Sequence, residues 1–263
     1  MTAFYSDPAV YDILHSPGTA AEVDAHEKVE RALMPGQLKK SRLWFEPACG
    51  SGRCLKVAAG RGRKVAGFDL DDGMVTYAAG RANLKRAKLF TADMTHFAAQ
   101  ARQAGLAPAS ADFAFQPVNS IRHLGSDKAM LAHLKEMAAI LKPGALYVVG
   151  ISLTNYDWLE PEEDVWTGAR GTCRVHQLVN FLPPEPGSKR GRAETVLSHL
   201  TITRPRGIEH RDATYDLRTY DEKQWNALVK RSPLERAGSF DAFGDPLEGR
   251  ILNYQLEALL RPV

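Results

Sequence analysis

Residues 43–53 read Leu-Trp-Phe-Glu-Pro-Ala-Cys-Gly-Ser-Gly-Arg, an apolar run that ends in an acid and passes into a turn of small residues. A helix-compatible segment follows at 53–59, and a second apolar run at 64–70 carries Asp69 near its end. This order predicts a strand, a tight turn, a helix and a second strand. Glycines in such a turn let a ligand approach the backbone, and the helix N-terminus offers free N–H groups. A carboxylate after the second strand can accept two hydrogen bonds from a ribose diol, so the segment predicts a nucleoside-binding site.

The kind of nucleoside is narrowed by what the turn contains and what it lacks. The dinucleotide fingerprint needs a third glycine, but Leu55 stands at that position after Gly50 and Gly52. No Gly-Lys-Ser/Thr follows, which excludes a P-loop. Glu46 lies directly before the turn, where its charge would repel a pyrophosphate and attract a cationic ligand.

The form acid-Pro-x-Cys-Gly-Ser-Gly-Arg resembles the first motif of class I S-adenosylmethionine-dependent methyltransferases. In that family the loop holds the methionyl part of the cofactor, whose sulfonium and ammonium groups are positive. Ala48 stands where the family usually has its first glycine. A generic turn in a nucleotide-free protein is the alternative. The resemblance implies S-adenosyl-L-methionine as the cofactor, bound by the residues that match the motif: Glu46, Ala48, Gly50, Gly52 and Arg53.

Further positions, within about residues 43–150, match the places where this family contacts the sugar, the adenine and the transferred methyl group. Asp69 would bind both ribose hydroxyls, although an exposed loop carboxylate is its alternative interpretation. Leu70 and Met74 would cover one face of the adenine, and Asp93 and Met94 would form hydrogen bonds with its edge. Asn119 and Ser120 would lie near the sulfonium.

The remainder of the chain predicts an α/β fold. Five apolar runs alternate with helical segments between residues 43 and 153, which predicts a Rossmann-like, doubly wound and mostly parallel sheet. Amphipathic helices at 9–14 and 20–34 predict an N-terminal helical lid. Residues 154–193 break the rhythm and are interpreted as a long excursion. Later strands are predicted at 195–204, 212–220, 240–243 and 251–259, and the resemblance implies that the sheet ends in an antiparallel hairpin.

These elements divide the chain into three parts. Residues 1–35 are the predicted lid, and residues 36–153 are the predicted cofactor-binding core. Residues 154–263 are expected to shape the substrate site and to complete the sheet with the C-terminal strands.

Composition limits the class of protein and its partners. The 263 residues are 44% hydrophobic and 25% charged, as in an ordinary globular protein. The net charge of +3 is too small to indicate nucleic acid as a partner. No segment approaches the roughly 18 consecutive apolar residues of a membrane span, and the N-terminus lacks the pattern of a signal peptide. The three cysteines suit a reducing compartment, so we expect a cytoplasmic protein without a metal, and self-association is left open.

The loop after the fourth predicted strand bears on the acceptor. Residues 116–124 read Gln-Pro-Val-Asn-Ser-Ile-Arg-His-Leu and lack the Asn/Asp-Pro-Pro-Tyr/Phe of enzymes that methylate nucleobase amines. The loop is most similar to the small-molecule branch, in which a tyrosine of the N-terminal helices and a histidine after this strand line the acceptor pocket. Tyr11 and His123 match those catalytic positions, and an imidazole can take a proton near neutral pH. The alternatives are that His123 packs against the following helix and that Tyr11 is a core aromatic of the lid.

The sequence thus predicts an enzyme that transfers a methyl group from S-adenosylmethionine to an amine or hydroxyl of a small-molecule acceptor. Methylation of RNA or protein is one alternative, which would require a basic face around residues 85–88 and 189–192. A cofactor-binding module without catalysis is the other.

Overall fold

The computed structural model of the chain describes residues 7–35, 42–185, 191–250 and 252–263, and over these ranges it forms α-helices and two β-sheets. The strands are β1 (Leu43–Pro47), β2 (Lys64–Asp69), β3 (Lys88–Thr91), β4 (Ala111–Gln116), β5 (Leu141–Ser152), β6 (Glu162–Arg170), β7 (Cys173–Leu182), β8 (Ala193–Arg204), β9 (Gly207–Arg218), β10 (Glu235–Phe240) and β11 (Tyr254–Leu260). The helices are α1 (Pro8–His15), α2 (Thr19–Leu33), α3 (Arg53–Gly60), α4 (Asp72–Ala79), α5 (Ala98–Gln103), α6 (Asp127–Ile140) and α7 (Glu222–Val229).

The larger sheet has seven strands in the order β10-β11-β5-β4-β1-β2-β3. β1 to β5 pair in parallel, and β11 runs antiparallel to both β5 and β10. β2 and β3 follow β1 on one side of the sheet, and β5 follows β4 on the other side, so the strand order reverses between β1 and β4. The carboxyl ends of these two strands therefore form the crevice in which open α/β sheets bind ligands. The predicted fold class, a doubly wound and mostly parallel sheet that ends in an antiparallel pair, is confirmed.

The core lies on both faces of this sheet. Successive side chains of a strand point to opposite faces, so Trp44 and Phe45, neighbours in β1, belong to different clusters. Phe45 packs with Phe68, whereas Trp44 packs with Phe113 on the other face. All four side chains are fully buried. Burial on both faces explains why these strands read as continuous apolar runs rather than as alternating patterns.

The second sheet consists of four antiparallel strands in the order β6-β7-β8-β9. The strands predicted at 195–204 and 212–220 correspond to β8 and β9, but β6 and β7 lie within the segment that we interpreted as an excursion. Part of β6 is acidic, and a polar glutamine interrupts the apolar face of β7, so neither gave a clear strand signal. At the base of this sheet the backbone N–H of Thr154 donates to the carbonyl oxygen of Tyr220 over 2.8 Å.

Helix α1 lies between the two sheets. Its apolar face packs on the inner face of the smaller sheet, through a cluster that comprises Val10, Ile13, Leu14, Val175, Leu200 and Ile202. Gly168 of β6 permits this close contact, because a Cβ atom there would lie 2.1 Å from the carbonyl oxygen of Ile13. α1 also reaches the carboxyl ends of the parallel strands, where its Asp12 accepts a hydrogen bond from Ser51 in the turn after β1.

Within the described ranges, no helix is long and apolar enough to cross a bilayer.

Candidate functional site

The turn between β1 and α3 presents its backbone to a large cavity. Gly50 and Gly52 have φ angles of 52° and 70°, in the left-handed region that favours glycine. A Cβ atom on Gly50 would lie 3.2 Å from Cε1 of Tyr11, and one on Gly52 would lie 2.9 Å from Cδ1 of Leu84. Gly50 and Ala48 line the cavity, together with Tyr11. Gly50 therefore allows a close approach at the cavity wall, whereas Gly52 serves the packing behind the turn.

Asp69 is held in place by the backbone of the turns around it. One carboxylate oxygen, Oδ2, accepts from the N–H of Gly50 at 2.7 Å, and Oδ1 accepts from the N–H of Asp71 at 3.0 Å. Burial raises the pKa of Asp69, and the backbone N–H groups act against that shift. A carboxylate has about four acceptor sites, so both oxygens can accept further hydrogen bonds from the cavity. This is the geometry that a ribose diol requires.

The predicted adenine contacts follow the neighbouring strands β2 and β3. Leu70, Met74, Asp93 and Met94 all line the cavity. Hydrogen bonds from the Thr95 N–H and hydroxyl lower the pKa of Asp93, although its partial burial acts in the opposite direction.

Met94 is held by a chain of buried polar side chains that sequence analysis did not predict. Its carbonyl oxygen lies 3.0 Å from Nδ1 of His133, and its sulfur accepts from Nε2 of Gln116 at 3.2 Å. The Tyr147 hydroxyl joins His133 to Gln116. These partners hold the backbone at Met94 in one position beside the cavity.

The loop after β4 carries the residues predicted to lie near the transferred methyl group. The side-chain amide of Asn119 donates to Oγ of Ser152 at 2.9 Å and accepts from the backbone N–H of Ser152 at 2.6 Å. Ser120 begins a short 3-10 helix that ends at His123, and all three loop residues line the cavity. The His123 ring opens onto the cavity 5.4 Å from the ring of Tyr215 on β9. The side chain is exposed to the cavity, but desolvation by the surrounding walls, and next the charge of Arg122, lower the pKa of His123 to about 4.

Three predicted cofactor residues, Glu46, Gly52 and Arg53, do not line the cavity. The Arg53 guanidinium donates to the Glu22 carboxylate at 2.5 and 2.7 Å and so ties α3 to α2. Glu46 is 3% exposed, one of its carboxylate oxygens has no hydrogen-bond partner, and burial raises its pKa well above the usual range. The geometry thus assigns Arg53 a role in holding the turn against the N-terminal helices.

Asp12, which sequence analysis did not single out, links the N-terminal helices to both sheets. It is fully buried on α1, accepts from Oγ of Ser51 at 2.8 Å, and forms ion pairs with Arg81 and Arg170. Burial opposes ionisation, but hydrogen bonds from Arg170 and Ser51 and the charge of Arg81 hold the pKa of Asp12 below its usual range. Ser51 belongs to the glycine turn and Arg170 ends β6. The available signal was an acid within an otherwise apolar helix segment.

The cavity extends from the turn to the inner face of the smaller sheet and has a volume of about 1690 Å³. Trp166 of β6 lies in its wall, 5.1 Å from the ring of His15, and donates from Nε1 to Asp164. Arg122, by contrast, is occupied by Glu194 and by the Arg218 carbonyl oxygen. The apolar part of this distal wall is formed by Trp166, Val179, Phe181, Tyr215 and Leu217.

A family model described as a methyltransferase domain matches residues 45–144, from β1 into the start of β5. Residues 45–144 therefore form a methyltransferase domain. The matched segment contains Asp69, Asp93, Asn119 and His123. The predictions of an enzyme similar to class I methyltransferases, with S-adenosylmethionine as its cofactor, are confirmed.

Several solved structures share the fold of this methyltransferase over nearly its whole length. DesVI of Streptomyces venezuelae is 20% identical, with a TM-score of 0.73, and the match covers 97% of this chain and 98% of that one. The sugar N-methyltransferase KedS8 of a Streptoalloteichus species is 20% identical, with a TM-score of 0.71 and coverage of 95% and 90%. CalS10 of Micromonospora echinaspora, an amino pentose methyltransferase solved with S-adenosylmethionine, is 18% identical, with a TM-score of 0.64 and coverage of 90% and 91%. No curated protein sequence matches.

Proposed function

We propose that this methyltransferase methylates the amine of a small metabolite. The observation that carries the proposal is that the cofactor residues and the distal wall share one acidic cavity. Among the described residues that line it, ten are Asp or Glu and two are Arg or Lys, namely Arg122 and Lys223. Such a surplus of negative charge attracts cations. It favours both a sulfonium cofactor and an acceptor that arrives as an ammonium ion.

The residues of the crevice fit S-adenosylmethionine. Asp69 offers two carboxylate oxygens for a ribose diol, and Gly50 exposes its backbone beside the same group. Leu70 and Met94 border the space for the adenine ring. When bound, the cofactor supplies a methyl group activated by its sulfonium. The chain therefore has to align the acceptor with that group and exclude water rather than activate a leaving group.

His123 is suited to orient the acceptor amine rather than to act as a strong base. Its pKa of about 4 keeps the imidazole neutral at physiological pH, so that a ring nitrogen can accept a hydrogen bond from an amine N–H. The same low pKa makes the ring a weak proton acceptor compared with an amine. Burial raises the pKa of Tyr11, which keeps its hydroxyl protonated at the edge of the site. We propose these two residues as the side chains that position the acceptor.

Two of the similar structures support an amine as the methylated group. KedS8 is described as a sugar N-methyltransferase and CalS10 as an amino pentose methyltransferase. At identities of 18–20% the similarity shows the fold, so the acceptor class rests on the charge and walls of this cavity.

Methylation of RNA or protein, the alternative, would require a basic face around residues 85–88 and 189–192. Of the second basic segment, residues 189 and 190 lie outside the described residues, and Arg192 is paired with Asp127 at 3.2 Å. The cavity wall itself is acidic, which would repel a phosphodiester backbone.

Methyl transfer can be tested directly. The protein is incubated with methyl-labelled S-adenosylmethionine and, in separate reactions, with a set of small primary amines, with the matching alcohols and with total RNA. We expect label in the amines and none in the RNA. Label in RNA that disappears at high salt would contradict the proposal, as would a failure of the protein to bind the cofactor.

Replacing His123 by alanine is expected to lower turnover by about tenfold to a hundredfold, because the amine loses the acceptor that orients its lone pair. Cofactor affinity should change by less than about twofold, since no cofactor contact is removed. The exposed His176 of β7 provides the matched control, and His176→Ala should leave turnover unchanged. Steady-state kinetics and calorimetry measure the two quantities, and equal turnover of His123→Ala and the unaltered protein would leave His123 with a packing role.

The low pKa of His123 also predicts the shape of the pH profile. The imidazole protonates only near pH 4, so it stays neutral throughout the range of about pH 6 to 9 in which rates are measured. A rise in rate over that range should therefore reflect loss of a proton by the acceptor amine. The midpoint of this rise should be the same in His123→Ala as in the unaltered protein, and a midpoint displaced by the substitution would contradict this assignment.

A further inference from the structure

A buried polar pair, Gln177 and Ser198, interrupts the apolar inner face of the smaller sheet. Gln177 of β7 is 1% exposed and lies between Val175 and Val179, which point to the same face. In the strand register it stands opposite Trp166 of β6 and Leu200 of β8. The alternation of β7 and its large neighbours would suit an apolar side chain at this position.

The amide of Gln177 is only half satisfied. Its Nε2 donates to Oγ of Ser198 at 2.7 Å, whereas its Oε1 is buried and has no hydrogen-bond partner. A buried carbonyl oxygen without a donor destabilises a fold, and an apolar residue would avoid that cost. Gln177 also lines the cavity. A bound molecule that donates a hydrogen bond to Oε1 of Gln177 would remove this unfavourable free energy.

The position of Gln177 shows which part of a bound molecule it can reach. The ring of Tyr215 lies beside that of His123. Tyr215 is on β9, two strands away from Gln177 on β7, and it is four residues further along β9 than the residue in line with Gln177. With strands about 4.8 Å apart and a rise of about 3.4 Å per residue, their backbones are on the order of 15 Å apart. Gln177 is thus remote from the loop that carries His123. The cavity wall between them includes Val179, and Phe181 stands two residues further along β7, in line with Tyr215.

We propose that Gln177 is a specificity residue, whose side-chain oxygen accepts a hydrogen bond from a hydroxyl group at the end of the acceptor remote from its amine. The inference rests on the proposed function, and it deepens it by naming the acceptor class. The acceptor is an extended amino alcohol without phosphate, since the wall combines an uncharged amide with apolar and acidic neighbours. The Gln177 amide recognises the hydroxyl group of the acceptor, and the loop at His123 binds its amine.

The test uses linear ω-amino alcohols of increasing chain length and the n-alkylamines of the same length as probes. Each is titrated by calorimetry into protein saturated with S-adenosylhomocysteine, so that no turnover occurs. In the unaltered protein we expect one range of chain lengths at which the amino alcohol binds about tenfold more tightly than its alkylamine. In Gln177→Leu, which keeps a similar volume, this ratio should fall to about one.

Two control variants isolate the buried oxygen. Asn180→Leu removes an amide from β7 that borders a groove outside the cavity, and Ser198→Ala removes only the existing partner of Gln177. Both should keep the preference for the amino alcohol. A preference that persists in Gln177→Leu, or that is missing at every chain length in the unaltered protein, overturns the inference. S-Adenosylhomocysteine binding is measured beforehand, by titration into the free protein, and its absence would instead count against the proposed function.

Discussion

Replacement of Asp69 by alanine is expected to weaken S-adenosylmethionine binding by about a hundredfold. The carboxylate offers two acceptors for the ribose diol, and charge-assisted hydrogen bonds of this kind contribute roughly 1.5 kcal/mol or more each. The substitution also releases the N–H groups of Gly50 and Asp71, which hold the turn in shape. Isothermal titration calorimetry measures the dissociation constant.

Asp72 provides a matched control for this experiment. It is an acid three residues along the chain, exposed, outside the cavity wall, and hydrogen-bonded to Oγ1 of Thr91 at 3.0 Å. Asp72→Ala should change cofactor affinity by less than about threefold. Asp69→Asn should be intermediate, because the amide keeps one acceptor oxygen and loses the charge. An Asp69→Ala protein that binds the cofactor as tightly as the unaltered protein would refute the ribose contact.

Replacement of Asp12 by asparagine should lower the free energy of unfolding by about 3 kcal/mol. Breaking a buried ion pair by removal of one partner commonly costs roughly 3–5 kcal/mol, and the lower figure applies because Arg170 is half exposed. Arg81 would be left without its carboxylate in a site where its side chain is only 12% exposed. Because Ser51 loses a charged partner as well, the turn should become more mobile and cofactor affinity should fall with stability.

Chemical denaturation with and without cofactor measures both effects of Asp12→Asn. The control is Asp212→Asn, which alters an exposed carboxylate that is hydrogen-bonded to His199 at 2.6 Å. Exposed substitutions of this kind usually change stability by less than about 0.5 kcal/mol. Equal stability of the Asp12 and Asp212 variants would mean that the buried cluster does not hold the helices to the sheets.

Asp12 should also make the stability of the protein depend on pH. Its pKa in the folded protein is lowered from the ordinary value of 3.8, so its stabilisation is complete above that ordinary value. The stabilisation is lost as the pH falls through the lower pKa of the folded state. Acid denaturation of the unaltered protein should therefore be steeper than that of Asp12→Asn, and identical profiles would contradict the assignment.

The sequence was most informative where function depends on local order. The turn that contains Gly50, and the strand that ends in Asp69, could be predicted because strand, turn and helix follow one another within a short segment. The ends of parallel strands necessarily meet at one edge of the sheet. From that rule, Asp93 and Asn119 could be predicted to lie at the same cavity.

Other contacts could not be predicted because their partners are distant in sequence. Asp12 contacts Ser51, 39 residues away, and Arg170, 158 residues away, and neither separation has a sequence pattern. Arg53 matched a cofactor motif, yet its guanidinium bonds Glu22, 31 residues upstream. Gln177 reads as an ordinary polar residue until the register of β7 places it on an inward face. The partners of a side chain thus decided its role more than its residue type.

The hydrogen bond between Thr154 and Tyr220 has an evolutionary consequence. The chain leaves the parallel framework and rejoins it at adjacent points, so the segment between them can be lengthened, shortened or exchanged while the crevice at the ends of β1 and β4 is retained. Such exchanges are constrained at Gly168, where the new segment must still admit the backbone of α1. Diversification of acceptors is therefore expected to proceed by coordinated change of this inserted segment and the first helix.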